Sequence, residues 1–170
     1  IEKALLRPSF VVFMTHGGGG SEYYAFDKDN KKYVVLSAED FTKDDALKKE
    51  LANGAVIGPV VLALGSYANS LTAVGSNSPF VNKPVSTENM ISLALLNTGS
   101  LAVIGGTTEM YYSSSDYFLG LVGDSFNYPK DYSIANHFYE LKQYLSNEEL
   151  GKSLTKSDVT NLIAMQYYGL

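Results

Sequence analysis

Three short apolar runs constrain this chain more than any other feature: Phe10-Val-Val-Phe-Met14, Val60-Val-Leu-Ala-Leu64 and Leu101-Ala-Val-Ile104. A strand with one wet face alternates apolar and polar residues, so unbroken runs of this length read as strands of a mostly parallel sheet, buried on both faces. The predicted strands lie at about 10–15, 58–64 and 100–105. Between the second and third, Met90, Ile91, Ala94 and Leu95 recur at helical spacing, with Ser86 or Thr87 as the cap and Asn97 and Gly99 at the close. Strand, helix and strand of these lengths make a parallel crossover, and the fold class is α/β.

The remaining segments fit that frame. Tyr23-Tyr-Ala-Phe26 and Tyr33-Val-Val-Leu36 flank the polar Asp27-Lys-Asp-Asn-Lys-Lys32, which predicts a hairpin. The turn lacks the sixth-position glycine and the distal glutamate of a calcium loop. A short amphipathic helix is expected over 43–54, and a long Ser/Asn/Pro-rich loop over 70–85 is a candidate substrate loop. Ile134, Phe138, Leu141 and Leu145 mark a further helix. A last helix is expected over 158–168, closed by Gly169.

At 170 residues, 45% apolar and 18% charged, the chain suits one domain, 1–170, with a sizeable core. A net charge of −5 with scattered lysines gives no basic stripe, which argues against a nucleic-acid partner. No apolar run approaches the roughly 20 residues of a membrane span. The absence of cysteine excludes disulfides and thiolate metal sites. With two histidines far apart, neither a metal nor another cofactor is expected. Thirteen tyrosines, no tryptophan and many Ser, Asn and Thr residues suit an extracellular or cell-surface protein. Residues 1–9 lack the tripartite order of a signal peptide and read as a helix end and a loop, so the chain is expected to begin inside a larger domain.

In a parallel sheet the chemistry gathers at the carboxyl ends of the strands. Those ends carry His16 with four glycines behind it, Gly65-Ser66, and Gly106-Thr-Thr-Glu-Met-Tyr-Tyr112. The glycines leave no Cβ to obstruct a substrate beside a titratable ring, although a turn whose histidine caps a carbonyl has the same sequence. His16-Gly-Gly-Gly19 resembles the oxyanion motif of hormone-sensitive-lipase-like α/β hydrolases. That esterase reading needs a G-x-S-x-G elbow. Leu64-Gly-Ser-Tyr-Ala68 and Gly123-Asp-Ser-Phe-Asn127 each lack the second glycine, and the downstream His137 falls within a helical pattern.

The order of landmarks across almost the whole chain resembles the gingipain family of caspase-like cysteine peptidases: apolar strand, His16-Gly17, hairpin, helix, apolar strand to Gly65, helix, then Leu101-Ala-Val-Ile-Gly-Gly-Thr-Thr108. The tail, Asn161-Leu-Ile-Ala-Met-Gln-Tyr-Tyr-Gly169, is similar to the segment that closes such domains. The resemblance implies a three-layer caspase-like fold whose first strands are missing from this chain and are supplied by a companion segment. It implies His16 as the catalytic histidine and Ser66 at the cysteine position, with the amides of Gly17 and Ser66 holding the oxyanion. Gly65, Thr107, Thr108, Glu109 and Tyr111 would bind a peptide or protein substrate, with Glu109 favouring Arg or Lys.

Serine in place of cysteine is the main departure. A thiol, with a pKa of about 8.5, is already partly ionised at neutral pH, whereas a hydroxyl needs a close, oriented base. Ser66 is therefore expected to be weakly reactive or inert. A deliberate replacement and a natural loss leave the same sequence, so a catalytically dead binding or regulatory module stands beside the peptidase reading.

Overall fold

The computed structural model describes residues 10–43, 58–70, 89–111, 119–120, 133–147 and 154–169. Along them come β1 (Phe10–Phe13), β2 (His16–Gly17), β3 (Glu22–Phe26), β4 (Lys32–Ser37), α1 (Ala38–Lys43), β5 (Val60–Ala63), α2 (Ile91–Asn97), β6 (Ala102–Gly106), α3 (Ile134–Leu145), α4 (Lys156–Ala164) and β7 (Met165–Gly169). The three apolar runs pair side by side as parallel strands in the order β1-β5-β6, and β7 adds to β6 antiparallel. A second, antiparallel sheet runs β2-β3-β4. The chain is thus mixed α/β, with a mostly parallel main sheet.

Strand alternation divides the core in two. Val61, Ala63, Val103 and Phe13 face Ile91 and Leu95 of α2, Phe41 of α1, and Tyr23 and Leu36 of the small sheet. Val60, Leu62, Ala102, Ile104 and Met165 face Phe138 and Leu141 of α3 and Leu162 of α4. All of β5 and β6 is buried, which explains why their sequences carry no polar alternation. β1, at the end of the sheet order, is less covered, and Val12 stays partly exposed. Among the described residues no helix is long and apolar enough to cross a membrane.

Tyr23 is wholly buried, and its hydroxyl has no hydrogen-bond partner among the described residues. Burial pushes that hydroxyl far above the ordinary tyrosine range, so it stays neutral. An unsatisfied buried hydroxyl is unfavourable, so Tyr23→Phe should stabilise the chain by about 1 kcal/mol in urea denaturation. A clear loss of stability would show that the hydroxyl has a partner.

Several expected boundaries move. The last helix stops at Ala164, and Met165–Gly169 leaves it as a strand, with Met165 already extended at φ −69° and ψ 126°. Tertiary pairing wins there: the edge of β6 takes up Gln166-Tyr-Tyr, and a Cβ on Gly169 would press on the Leu101 carbonyl and Ala102. The same helix starts at Lys156, where Thr155 and Asp158 form a reciprocal capping box. α2 starts at Ile91 after Met90, with no side-chain cap; residues 86 and 87 lie outside the described residues. The predicted loop over 70–85 lies outside them except for Ser70, as does the helix over 43–54 except for Lys43, which instead ends α1. Sequence patterning missed α1, although Ser37 and Asp40 signal it: the Asp40 carboxylate accepts from the Ser37 N–H at 2.7 Å and its hydroxyl at 3.0 Å.

Candidate active site

Parallel pairing sets the two central residues level. Phe13 lies opposite Ala63, and three residues further along each chain come His16 and Ser66. The segments that follow meet backbone to backbone. The Gly17 N–H donates to the Ser66 carbonyl at 3.0 Å, and the Leu64 N–H donates to the Phe13 carbonyl at 2.8 Å. A Cβ on Gly17 would collide with the backbone of Ser66 and Ala68, and one on Gly65 with the Thr15 carbonyl. Gly20, in the left-handed region at φ +89°, lies against the Ser70 carbonyl and accepts the Ile91 N–H at the start of α2. The space at Gly17 and Gly20 is therefore filled by the neighbouring loop. This corrects the expectation that the glycine run stands open to a substrate.

His16 and Ser66 both line one cavity of about 330 Å3, with Met14, Thr15, Ala25, Phe26, Leu64, Gly65, Met110 and Tyr111. The His16 ring is exposed and stacks on Tyr24, ring centroids 5.2 Å apart, with Phe26 edge-on at 5.5 Å. Tyr24 and Phe26 share a face of β3, two residues apart. The Lys32 ammonium also lies over the Tyr24 ring, 4.3 Å from its centroid, and pairs with Glu22. Burial raises the Tyr24 hydroxyl above its ordinary value, partly offset by Lys32. His16 is held by ring contacts, with no hydrogen bond to its imidazole among the described residues.

The Ser66 hydroxyl is engaged elsewhere. It accepts from the Met110 N–H at 2.8 Å and donates to the Met110 carbonyl at 3.1 Å. Tyr67, next in the chain, is held at φ +57°, and its N–H donates to the Thr108 carbonyl. A non-glycine residue in that region carries roughly 1–2 kcal/mol of strain, a feature that gathers at functional sites. The buried Asn69 closes the loop, with its N–H on the Gly106 carbonyl and its side-chain oxygen accepting from Ser92.

Of the residues put forward from sequence, the cavity brings together His16, Gly65, Ser66 and Tyr111. Gly17 sits behind it, its amide donating to the Ser66 carbonyl, so the expected oxyanion pair is half engaged within the protein. Thr107 turns the other way, its N–H and hydroxyl both on the Ala164 carbonyl. Thr108 and Glu109 are exposed and do not line the cavity. The strand-end segment contributes instead through Met110 and Tyr111. Tyr111 is pinned by buried Asn161, which accepts its N–H and donates to its carbonyl. Met14, Thr15, Ala25, Phe26 and Leu64 escaped the sequence reading, which placed Met110 only within the strand-end segment 106–112. The available signal was the hairpin itself, because pairing of β2 with β3 sets Tyr24 directly opposite His16. His137, required by the esterase reading, is buried on α3 and away from the cavity lining.

Together these features define a mixed α/β chain with a cavity at the carboxyl ends of two adjacent parallel strands, holding a histidine and a serine. No protein-family model matches the sequence, and no curated protein does.

Proposed function

We propose that the chain is the histidine- and nucleophile-bearing part of a gingipain-like cysteine endopeptidase domain of caspase-like fold, silent because serine occupies the nucleophile position. The observation that carries this reading is the placement of His16 and Ser66 at matched positions beyond paired strands, on one cavity. The two side chains stand on separate strand ends, and the Ser66 hydroxyl bonds to Met110. A thiolate needs only a nearby imidazole, whereas this hydroxyl has no base bonded to it.

In the Ser66→Cys form the thiolate attacks the scissile carbonyl, and the tetrahedral oxyanion is met by the residue-66 amide. Collapse breaks the C–N bond, His16 protonates the departing amine, and a thioester remains. Water, losing its proton to His16, attacks the thioester and releases the acid and the thiol. The Gly17 amide joins the oxyanion site only if its bond to the Ser66 carbonyl opens. On the same reading a companion strand pairs along the outer edge of β1, and native mass spectrometry of the natural protein should find that segment.

Ser66→Cys should raise peptide hydrolysis by about a hundredfold or more over the native chain. A folded variant with no activity would remove the peptidase assignment. The second reading, a binding module, is favoured by the same Ser66–Met110 bonding, and it requires that outcome together with stable capture of uncleaved peptide.

A further inference from the structure

We infer that the cavity beside His16 and Ser66 selects an uncharged, large apolar side chain adjoining the scissile bond; this rests on the peptidase reading above. Met14, Ala25, Phe26, Leu64, Met110 and Tyr111 supply most of its wall. Around its mouth Met14 is 45% exposed, Phe26 41% and Tyr111 43%. Large apolar side chains left in water and gathered on one opening mark a binding surface rather than scattered exposure. A volume of about 330 Å3 is at the small end for ligand pockets, suited to one or two side chains rather than an extended surface.

Glu109, the residue that sequence puts forward to recognise Arg or Lys, is exposed and lies off the cavity. The polar lining comes from Thr15, His16 and Ser66, none of which carries negative charge. A guanidinium or ammonium entering these walls would lose its hydration with no carboxylate among the described lining residues to replace it, whereas Phe, Leu or Met would lose only unfavourable contact with water.

The test is a peptide library cleaved by the folded Ser66→Cys variant, with each cut position mapped by mass spectrometry. Phe, Leu, Met or Tyr should flank the cut, favoured over Arg and Lys by about a hundredfold in kcat/KM. Met14→Glu in the same background should narrow that ratio by about tenfold or more, because it places a carboxylate at the mouth. Cleavage centred on Arg, Lys, Asp or Glu would overturn the apolar assignment and leave the peptidase reading standing. No cleavage by a folded variant would remove both. Glu109→Gln serves as the discriminating companion: an unchanged preference agrees with a pocket that excludes residue 109, and a lost basic preference refutes it.

Discussion

Gly65→Ala is expected to destabilise the chain by about 2–4 kcal/mol and to abolish whatever activity the Ser66→Cys form has. The added methyl would point at the Thr15 carbonyl oxygen, closer than 3.0 Å, and that atom belongs to backbone at the end of a paired strand. It can yield only if β1 and β5 part at their carboxyl ends, where His16 and Ser66 are set level. Stability and site geometry should therefore fall together, read as a lower urea midpoint and lost turnover. Gly18→Ala is the milder comparison, since its nearest neighbours are atoms of the Glu22 side chain, which can turn by giving up its pairing with Lys32, rather than backbone. A loss under about 1 kcal/mol is expected there. If the two substitutions were equally mild, the close approach of the loops would not be what holds the site.

In the Ser66→Cys background, His16→Ala should lower kcat by about 100- to 10,000-fold, the span usual for loss of a general acid–base group. On the peptidase reading the ring would be suited to this work because it is held. Tyr24 stacks on it, Phe26 meets it edge-on, and Lys32 lies over the Tyr24 ring. Single-turnover acylation with an activated ester, which has a good leaving group, should recover part of the loss; an amide substrate should not. That contrast separates a proton donor from a group that merely shapes the cavity. A drop of less than about tenfold on amides would exclude His16 from the chemistry.

The main sheet was legible because β5 and β6 are buried on both faces, and unbroken apolar sequence has few other meanings at that length. The hairpin was legible from its polar turn, where Asp27 accepts from the N–H groups of Asp29 and Lys31. β7 was not, because Met165–Gly169 extends a helical pattern and only pairing with β6 turns it into a strand. In the site, His16 and Ser66 were readable as strand ends, since sheet order alone brings them together. The wall was not readable. Thr107 to Tyr111 are consecutive, and which of them faces inward depends on Asn161 and Ser66, residues distant in sequence that grip the backbone at 110 and 111. The four glycines were noticed for the wrong partner: two of them accommodate the next loop rather than a ligand.

The paired hydrogen bonds between Ser66 and Met110 set reactivity against rigidity at a single atom. Oxygen is a strong donor and acceptor and clasps the peptide groups of the adjoining segment, while sulfur does both weakly and at longer range. Exchanging one for the other would loosen the clasp and, if residue 66 is the proposed nucleophile, arm it in the same stroke. On the peptidase reading, the serine form would be the better-fastened one, and a cysteine form would have to draw its firmness from the bound peptide.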